Sequence, residues 1–209
     1  MSRDKPDINL DFFKTLEFSD EPVFFDIGSH EGQEIKFFLN EGKAKQVYGF
    51  EPHPDFFCNL NSKFKNDDRV FLFCASAFKS YEISPLYTKE NNFLSAGSSL
   101  CYFKNNIDPS NHSTFTISVD LSDVINSFQN PIDFIKMDAE GVEYQILEKM
   151  LNRSACYRVK YIYVEDHSRK MIEPDWFHHR DTVMRQYKQA GFKKISMNEP
   201  SNHFCLFKD

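Results

Sequence analysis

No run in the 209 residues approaches the roughly 18–20 consecutive apolar positions of a membrane-spanning helix, so no membrane partner is expected. The opening stretch MSRDKPDINLDFF lacks the basic-then-apolar order of a secretory signal. Cysteine is sparse and scattered: Cys58, Cys74, Cys101, Cys156 and Cys205 are odd in number and contain no C-x-x-C pair. A disulfide framework or zinc cluster is therefore not expected; buried reduced thiols and a cytoplasmic setting are. Basic charge is in deficit, 25 Lys and Arg against 31 Asp and Glu, which argues against a broad nucleic-acid-binding face. Glycine is rare, seven in all, and no internal repeat or low-complexity stretch is visible. What the chain has in quantity is aromatic residues. With 23 Phe and 9 Tyr it can build a large core, which excludes intrinsic disorder. The length favours one domain over 1–209, with residues 1–20 as an N-terminal extension that is a polar tail up to about Asp7.

From Pro22 onward, short apolar runs alternate with helical segments. PVFFDIG (Pro22 to Gly28) reads as a buried strand, continuous as a parallel sheet demands, and Glu31 to Asn40 follows as a helix that Gly42 can end. QVYGF (Gln46 to Phe50), a helix over Pro54 to Lys65 and VFLFCA (Val70 to Ala75) continue the alternation. Residues 79–118 break it: polar and rich in Asn and Ser, they predict an irregular insertion near the substrate site, with FTISV (Phe115 to Val119) an alternating strand. Asp120 then caps a short helix through Ser127. IDFIKMD (Ile132 to Asp138), a helix over Val142 to Leu151, KYIYVED (Lys160 to Asp166), a helix over Trp176 to Ala190, FKKISM (Phe192 to Met197) and HFCLF (His203 to Phe207) complete the series. Strands joined by helices imply right-handed crossovers and a parallel sheet covered on both faces, while the NEPSN turn predicts an antiparallel last strand. The fold class is α/β, doubly wound.

Two of the seven glycines, Gly28 and Gly32, fall in DIGSHEG (Asp26 to Gly32), between the first strand and the first helix. In a doubly wound sheet ligands meet the carboxyl ends of the strands at this turn. Glu51 ends the next strand in FEP, where an acid can accept hydrogen bonds from both hydroxyls of a ribose. The G-x-x-x-G spacing puts His30 where a dinucleotide fingerprint needs its second glycine, and no Walker loop follows. A ligand with a ribose but no phosphate is expected. Asp26 fits that reading, because a carboxylate at the turn repels a pyrophosphate and helps position a cationic or amino group. S-adenosylmethionine, with its sulfonium, amino group and ribose, has these features.

A second acidic cluster, KMDAEGVEY (Lys136 to Tyr144), crosses from the fourth core strand into the next helix. Asp138 at the strand terminus is the candidate to face the ligand cleft, with Glu140 beside it, whereas Glu143 suits a cap or helix–sheet contact. VEDHS places Glu165, Asp166 and His167 at the end of the following strand; an imidazole is suited to taking a hydroxyl proton. Asp138 with Asp166 or His167 could alternatively hold a hard divalent metal, although no metal site is assigned. His30, His178, His179, Tyr81, Tyr87 and Tyr102 are weaker candidates for contacts with ligand or substrate.

Four blocks then stand in order: DIGSHEGQ (Asp26 to Gln33), GFEPHPDFF (Gly49 to Phe57), VDLSDVI (Val119 to Ile125) and IDFIKMDAEGVEYQIL (Ile132 to Leu147), with YVEDH (Tyr163 to His167) a looser fifth. In these the chain resembles the FkbM family of S-adenosylmethionine-dependent methyltransferases over roughly residues 22–170. The resemblance implies a Rossmann-like fold of seven strands with the seventh antiparallel. It implies that Asp26, Gly28 and Gly32 hold the methionine end and Glu51 the ribose, with Ser29 and Pro52 in the same two motifs. Ala75 and Ser76 would flank the adenine and Asp138 would lie beside the methyl-transfer cleft. Gly28-Ser29-His30 stands where the family usually has G-A-N. Family members mostly methylate hydroxyls of sugars, glycans or polyketides, so a small-molecule or saccharide acceptor is implied; a base must still remove the hydroxyl proton, and His167 or Asp138, with Glu140 nearby, is the candidate on chemical grounds. Two other readings share part of the pattern: a nicotinamide-dependent oxidoreductase, disfavoured by the missing middle glycine, and a non-catalytic cofactor-binding module.

Overall fold

The computed structural model describes residues 5–88, 97–108, 110, 112–198 and 200–208. In chain order its elements are α1 (Leu10–Phe13), β1 (Val23–Ile27), α2 (Gln33–Asn40), β2 (Gln46–Phe50), α3 (Pro54–Phe64), β3 (Val70–Phe73), β4 (Ser76–Phe78) and β5 (Glu82–Tyr87). There follow β6 (His112–Asp120), α4 (Leu121–Ser127), β7 (Ile132–Met137), α5 (Glu143–Asn152), β8 (Val159–Glu165), α6 (Pro174–Gln189), β9 (Lys193–Ser196) and β10 (His203–Phe207).

Seven strands form one sheet in the order β3-β2-β1-β7-β8-β10-β9. All of the pairings are parallel except those of β10, which runs antiparallel to both β8 and β9. This is the expected α/β class, Rossmann-like with an antiparallel last strand. The strand order reverses beside β1, so the carboxyl ends of β1 and β7 open a crevice between crossovers that leave in opposite directions.

Successive side chains on a strand point to opposite faces, which is how neighbouring phenylalanines in β1 serve both layers. Phe24 packs with Phe38 and Phe134 under α1 and α2, with ring centroids 5.0 and 6.1 Å away, while Phe25 faces Phe50 and Phe128 on the other side. Much of the phenylalanine excess is spent here, in edge-to-face clusters. The N-terminal extension belongs to this core in part. Ile8 and Phe13 are buried, Phe13 lies 5.4 Å from Phe134, and the Asn9 N–H donates to the Tyr163 hydroxyl at 3.0 Å. Asp120 caps α4 as expected, accepting from the backbone of Ser122 at 2.9 Å.

The third strand departs from its expected span. It ends at Phe73, and the chain leaves the main sheet so that Ser76 begins β4 in a second, three-stranded sheet of order β4-β6-β5. The Ser76 hydroxyl meets that of Ser118 at 2.7 Å, anchoring the departure. Residues 79–118 are thus partly regular; 89–96, 109 and 111 of that expected insertion, and 199 of the NEPSN turn, lie outside the described residues. The alternation in FTISV is real but inverted. Thr116 and Ser118 are buried, whereas Phe115 and Ile117 are 60% and 59% exposed. The cysteines also divide: Cys101, Cys156 and Cys205 are buried, but Cys58 and Cys74 are exposed, and all five are free thiols.

Candidate active site

A cavity of about 340 Å³ opens at the carboxyl ends of β1, β2 and β7. Of the residues singled out from sequence, Gly28, His30, Glu51, Pro52, Ser76, Asp138, Glu140 and Glu165 line it; Asp26, Ser29, Gly32, Ala75 and His167 do not. The latter lie one layer deeper or to the side.

The glycine turn is held by close backbone packing. Gly28 takes φ +82°, and its N–H and that of Ser29 both donate to the Phe50 carbonyl at 3.0 Å. A β-carbon on Gly28 would collide with the Asp138 backbone carbonyl, so β1 and β7 converge only because this residue has none. Gly28→Ala should therefore cost about 3 kcal/mol, combining left-handed strain with overpacking, and lower the urea unfolding midpoint accordingly. Gly32 plays a different part. With φ +78° it starts α2 while lying against Leu60 and Phe64 of α3, so its small size serves helix–helix packing. Ser29 turns inward, its hydroxyl donating to the Asp26 carbonyl at 3.0 Å.

Glu51 is buried at the end of β2 and accepts two backbone N–H bonds, from His30 and His53, each at 2.8 Å. Burial nevertheless dominates and raises its carboxyl to about 7. His30, at φ +44°, packs its ring on Phe56 at 4.2 Å between centroids, a fixed position in place of the family's asparagine. Pro54 and the His53 cap, which start α3, aim this wall of the cavity.

Asp26 is fully buried beneath the turn, and neither carboxylate oxygen makes a hydrogen bond. Burial, and then the neighbouring Glu34 charge, raise its carboxyl to about 8. Lys136 lies beside it. Burial alone would lower that ammonium's pKa, but Asp138, Glu34 and Asp26 outweigh burial and hold it above the ordinary lysine range. Lys136 Nζ donates to Asp138 Oδ2 at 3.1 Å. Burial likewise opposes ionisation of Asp138, but Lys136 and His167 prevail and hold it well below the usual carboxylate range.

Behind Asp138 stands His167, 1% exposed. Its Nδ1 is 2.7 Å from Glu143 Oε1, and its Nε2 lies 3.2, 3.4 and 3.6 Å from Glu140, Glu165 and Asp138. Burial lowers the imidazole pKa, but Glu143, Glu140 and Asp138 reverse that and lift it to about 9, so the ring is cationic at neutral pH. Glu140 holds a left-handed φ of +51°, and its carboxylate is gripped by buried Lys104, with Lys170 at 3.4 Å. Such strain in a non-glycine residue is tolerated where surrounding contacts fix it, here including the Ser99 hydroxyl on its carbonyl at 2.6 Å. Asp138, Glu140 and His167 bring ligand atoms within 4.8 Å of one another, yet three lysines already neutralise the two acids. Asp166 turns aside to accept from the Ser168 backbone at 2.9 Å.

Sequence reading passed over Glu34, Phe56, Ser99 and Lys104. Glu34 stands in the first turn of α2, where an acid is common for its interaction with the helix dipole. Nothing in the polar 97–108 segment marks Lys104 as buried, because its partner Glu140 is 36 positions away.

A sheet of this order, with a cavity at the glycine turn and an acid ending the second strand, is the class I methyltransferase fold. The sequence model of the Methyltransferase FkbM domain matches residues 26–194, and the chain belongs to the FkbM methyltransferase family. No match is found among curated proteins. Among solved structures, the fold is similar to a candidate rRNA methylase from Clostridium thermocellum, with a TM-score of 0.51 at 13% identity, covering 95% of this chain and 94% of that one. An rRNA methylase from Streptococcus thermophilus gives 0.48 at 11%, covering 91% and 89%. A candidate methyltransferase from Streptococcus mutans in complex with SAH gives 0.48 at 12%, covering 94% and 92%.

Proposed function

We propose that this single-domain methyltransferase is an O-methyltransferase acting on a hydroxyl of a sugar or glycan. The observation carrying this reading is one cavity that joins Glu51 and Asp138 to a polar wall of Ser98, Ser99 and Asn106. The cavity fits the donor. Asp26 offers an orphaned, buried carboxylate beneath the turn, complementary in charge to an amino group, and Gly28 of that turn lines the cavity. When bound, S-adenosylmethionine supplies an electrophilic methyl group on its sulfonium. Glu51 has lone pairs left on both oxygens to accept the ribose hydroxyls, while Pro52 and Ser76, with Ala75 behind them, shape the adenine side.

Asp138 is assigned to receive the acceptor hydroxyl. It borders the cavity, its Oδ1 makes no hydrogen bond, and it stays ionised, so it can orient the hydroxyl and take up its proton. His167 is cationic and covered, so we assign it to positioning Asp138 and Glu140; it holds no lone pair toward the cavity. Since the donor is already activated, alignment and exclusion of water carry much of the rate. Among the described residues, carboxylates outnumber ammonium groups along the cavity, Glu34, Glu51, Asp138, Glu140 and Glu165 against Lys5, Lys136 and Lys170, which favours an uncharged hydroxyl acceptor over a phosphodiester backbone.

Methyl-labelled donor should transfer its label to a member of a saccharide panel as an alkali-stable ether. Label entering RNA and no saccharide would overturn the reading. Glu51→Gln keeps the shape of the side chain and removes its charge, and calorimetry should show S-adenosylhomocysteine binding weakened about 10–100-fold.

A further inference from the structure

At the edge of the cavity, where the N-terminal segment crosses the end of the sheet, three potential ligands converge from distant parts of the chain: Asp7, Glu165 at the end of β8, which also borders the cavity, and His203 at the start of β10. His203 is 2% exposed, and its Nε2 makes no hydrogen bond; neither does Glu165 Oε2, the oxygen that faces it. Their separation is 3.7 Å, and Asp7 Oδ1 lies 3.8 Å from the same nitrogen. These gaps are too long for hydrogen bonds, and buried polar atoms are rarely left without a partner.

The tautomer of His203 follows from its neighbours. Asn202 Nδ2 donates to Glu165 Oε1 at 3.2 Å, which fixes the orientation of the amide. Asn202 Oδ1 then faces His203 Nδ1 at 3.1 Å and can only accept, so Nδ1 carries the hydrogen. A neutral ring therefore turns its Nε2 lone pair toward the two carboxylates. An imidazole held at one nitrogen by an amide oxygen, with the other nitrogen bare, is the arrangement found behind metal-ligating histidines. An ion about 2.1 Å from each of two ligands separates them by roughly 3.4–3.8 Å at tetrahedral or wider angles, as seen here. The nearby Lys136 ammonium is committed to Asp138.

We propose that Asp7, Glu165 and His203 form a site for a divalent first-row transition-metal ion, distinct from the Asp138–Glu140–His167 cluster. One imidazole and two carboxylates suit ions in the Mn²⁺ to Zn²⁺ range. The ion ties the N-terminal segment to β8 and β10. Because Lys5, two residues before Asp7, lines the cavity, the ion also sets the position of that wall.

The test uses the chelator-treated chain titrated with Mn²⁺, which the exposed thiols of Cys58 and Cys74 hold poorly; free ion is counted by electron paramagnetic resonance. One Mn²⁺ per chain is expected, with a rise in Tm of ~5 °C at saturation. Asp7→Asn should weaken binding at least ~10-fold, and His203→Gln should abolish it. Asp138→Asn should leave stoichiometry unchanged. Absence of bound Mn²⁺ in the unaltered chain, or wild-type affinity in both Asp7→Asn and His203→Gln, overturns the proposal. So does loss of the ion in Asp138→Asn with retention in His203→Gln, which would place it in the neighbouring cluster.

Discussion

Replacing Asp26 by Asn should stabilise the unliganded protein at alkaline pH and weaken its grip on the methyl donor, two effects of opposite sign from one atom change. Asp26 is buried, makes no side-chain hydrogen bond, and its carboxyl is raised by burial and by Glu34 to about 8. An aspartate in the unfolded chain titrates near 4, so between those values the folded state binds the extra proton. The stabilising share of that proton is complete below about pH 4 and is lost as pH rises through about 8. Above that pH the wild-type chain carries a charged, unsolvated carboxylate that Asn does not have. A gain on the order of 3 kcal/mol at pH 8.5, or ~5–10 °C in Tm, is expected and should shrink to under about 1 kcal/mol at pH 5. The same charge underlies the glycine turn where the donor's amino group is assigned, so the donor's dissociation constant should rise about 10–100-fold. Glu51, raised to about 7, adds to the trend, and wild-type affinity for the donor should strengthen from pH 6 to 8 as both acids ionise. Differential scanning fluorimetry across pH with and without S-adenosylhomocysteine reads both effects. A variant stabilised at high pH with undiminished affinity would reduce Asp26 to a structural residue.

The legibility of this chain follows the range of its interactions. Continuous apolar strands, Gly28 at a positive φ and Asp120 at a helix start are local matters, and each was readable because one residue type solves a problem posed by its immediate neighbours. The direction of the strands was readable for a similar reason: crossovers have one hand, and the last two strands are too close to do other than turn back. The departures are contacts over long sequence separations. The third strand stops at Phe73 because Ser76 finds Ser118, 42 positions on. The inverted alternation of Phe115 and Ile117 has its counterpart in β5, where Ile83, paired with Ile117, is 74% exposed; the structure shows no reason for this apolar outer face. At the site, motif reading singled out candidate residues but not their depth. Asp138 and His167 look equivalent as strand-end polar residues, and only packing shows that one borders the cavity while the other is sealed behind it among carboxylates.

That difference in depth sets the expected behaviour of Asp138→Asn. The backbone of Asp138 holds the end of β7 in place, its N–H donating to the Ile27 carbonyl at 3.0 Å and its own carbonyl packing against Gly28. None of this involves the carboxylate, and Asn has the same shape, so Tm should move by only a few degrees. Lys136 loses the partner at 3.1 Å but keeps the Glu34 charge close by, so the ammonium is not stranded. The chemistry is affected more strongly. An amide cannot accept the hydroxyl proton, and it presents no negative charge to orient the acceptor, so turnover at saturating donor should fall about 10²–10⁴-fold. Donor affinity, governed by Glu51 and Asp26, should change less than about threefold. His167→Gln provides the contrast: it removes a positive charge that holds Asp138 and Glu140 in place, without removing an acceptor for the proton. Its turnover should fall less, and its rate should be recovered in part by raising the acceptor concentration. A kcat for Asp138→Asn equal to that of the wild type, in folded protein with normal donor binding, would remove Asp138 from the reaction and leave Glu140 and Glu165 as the carboxylates bordering the cavity at that end.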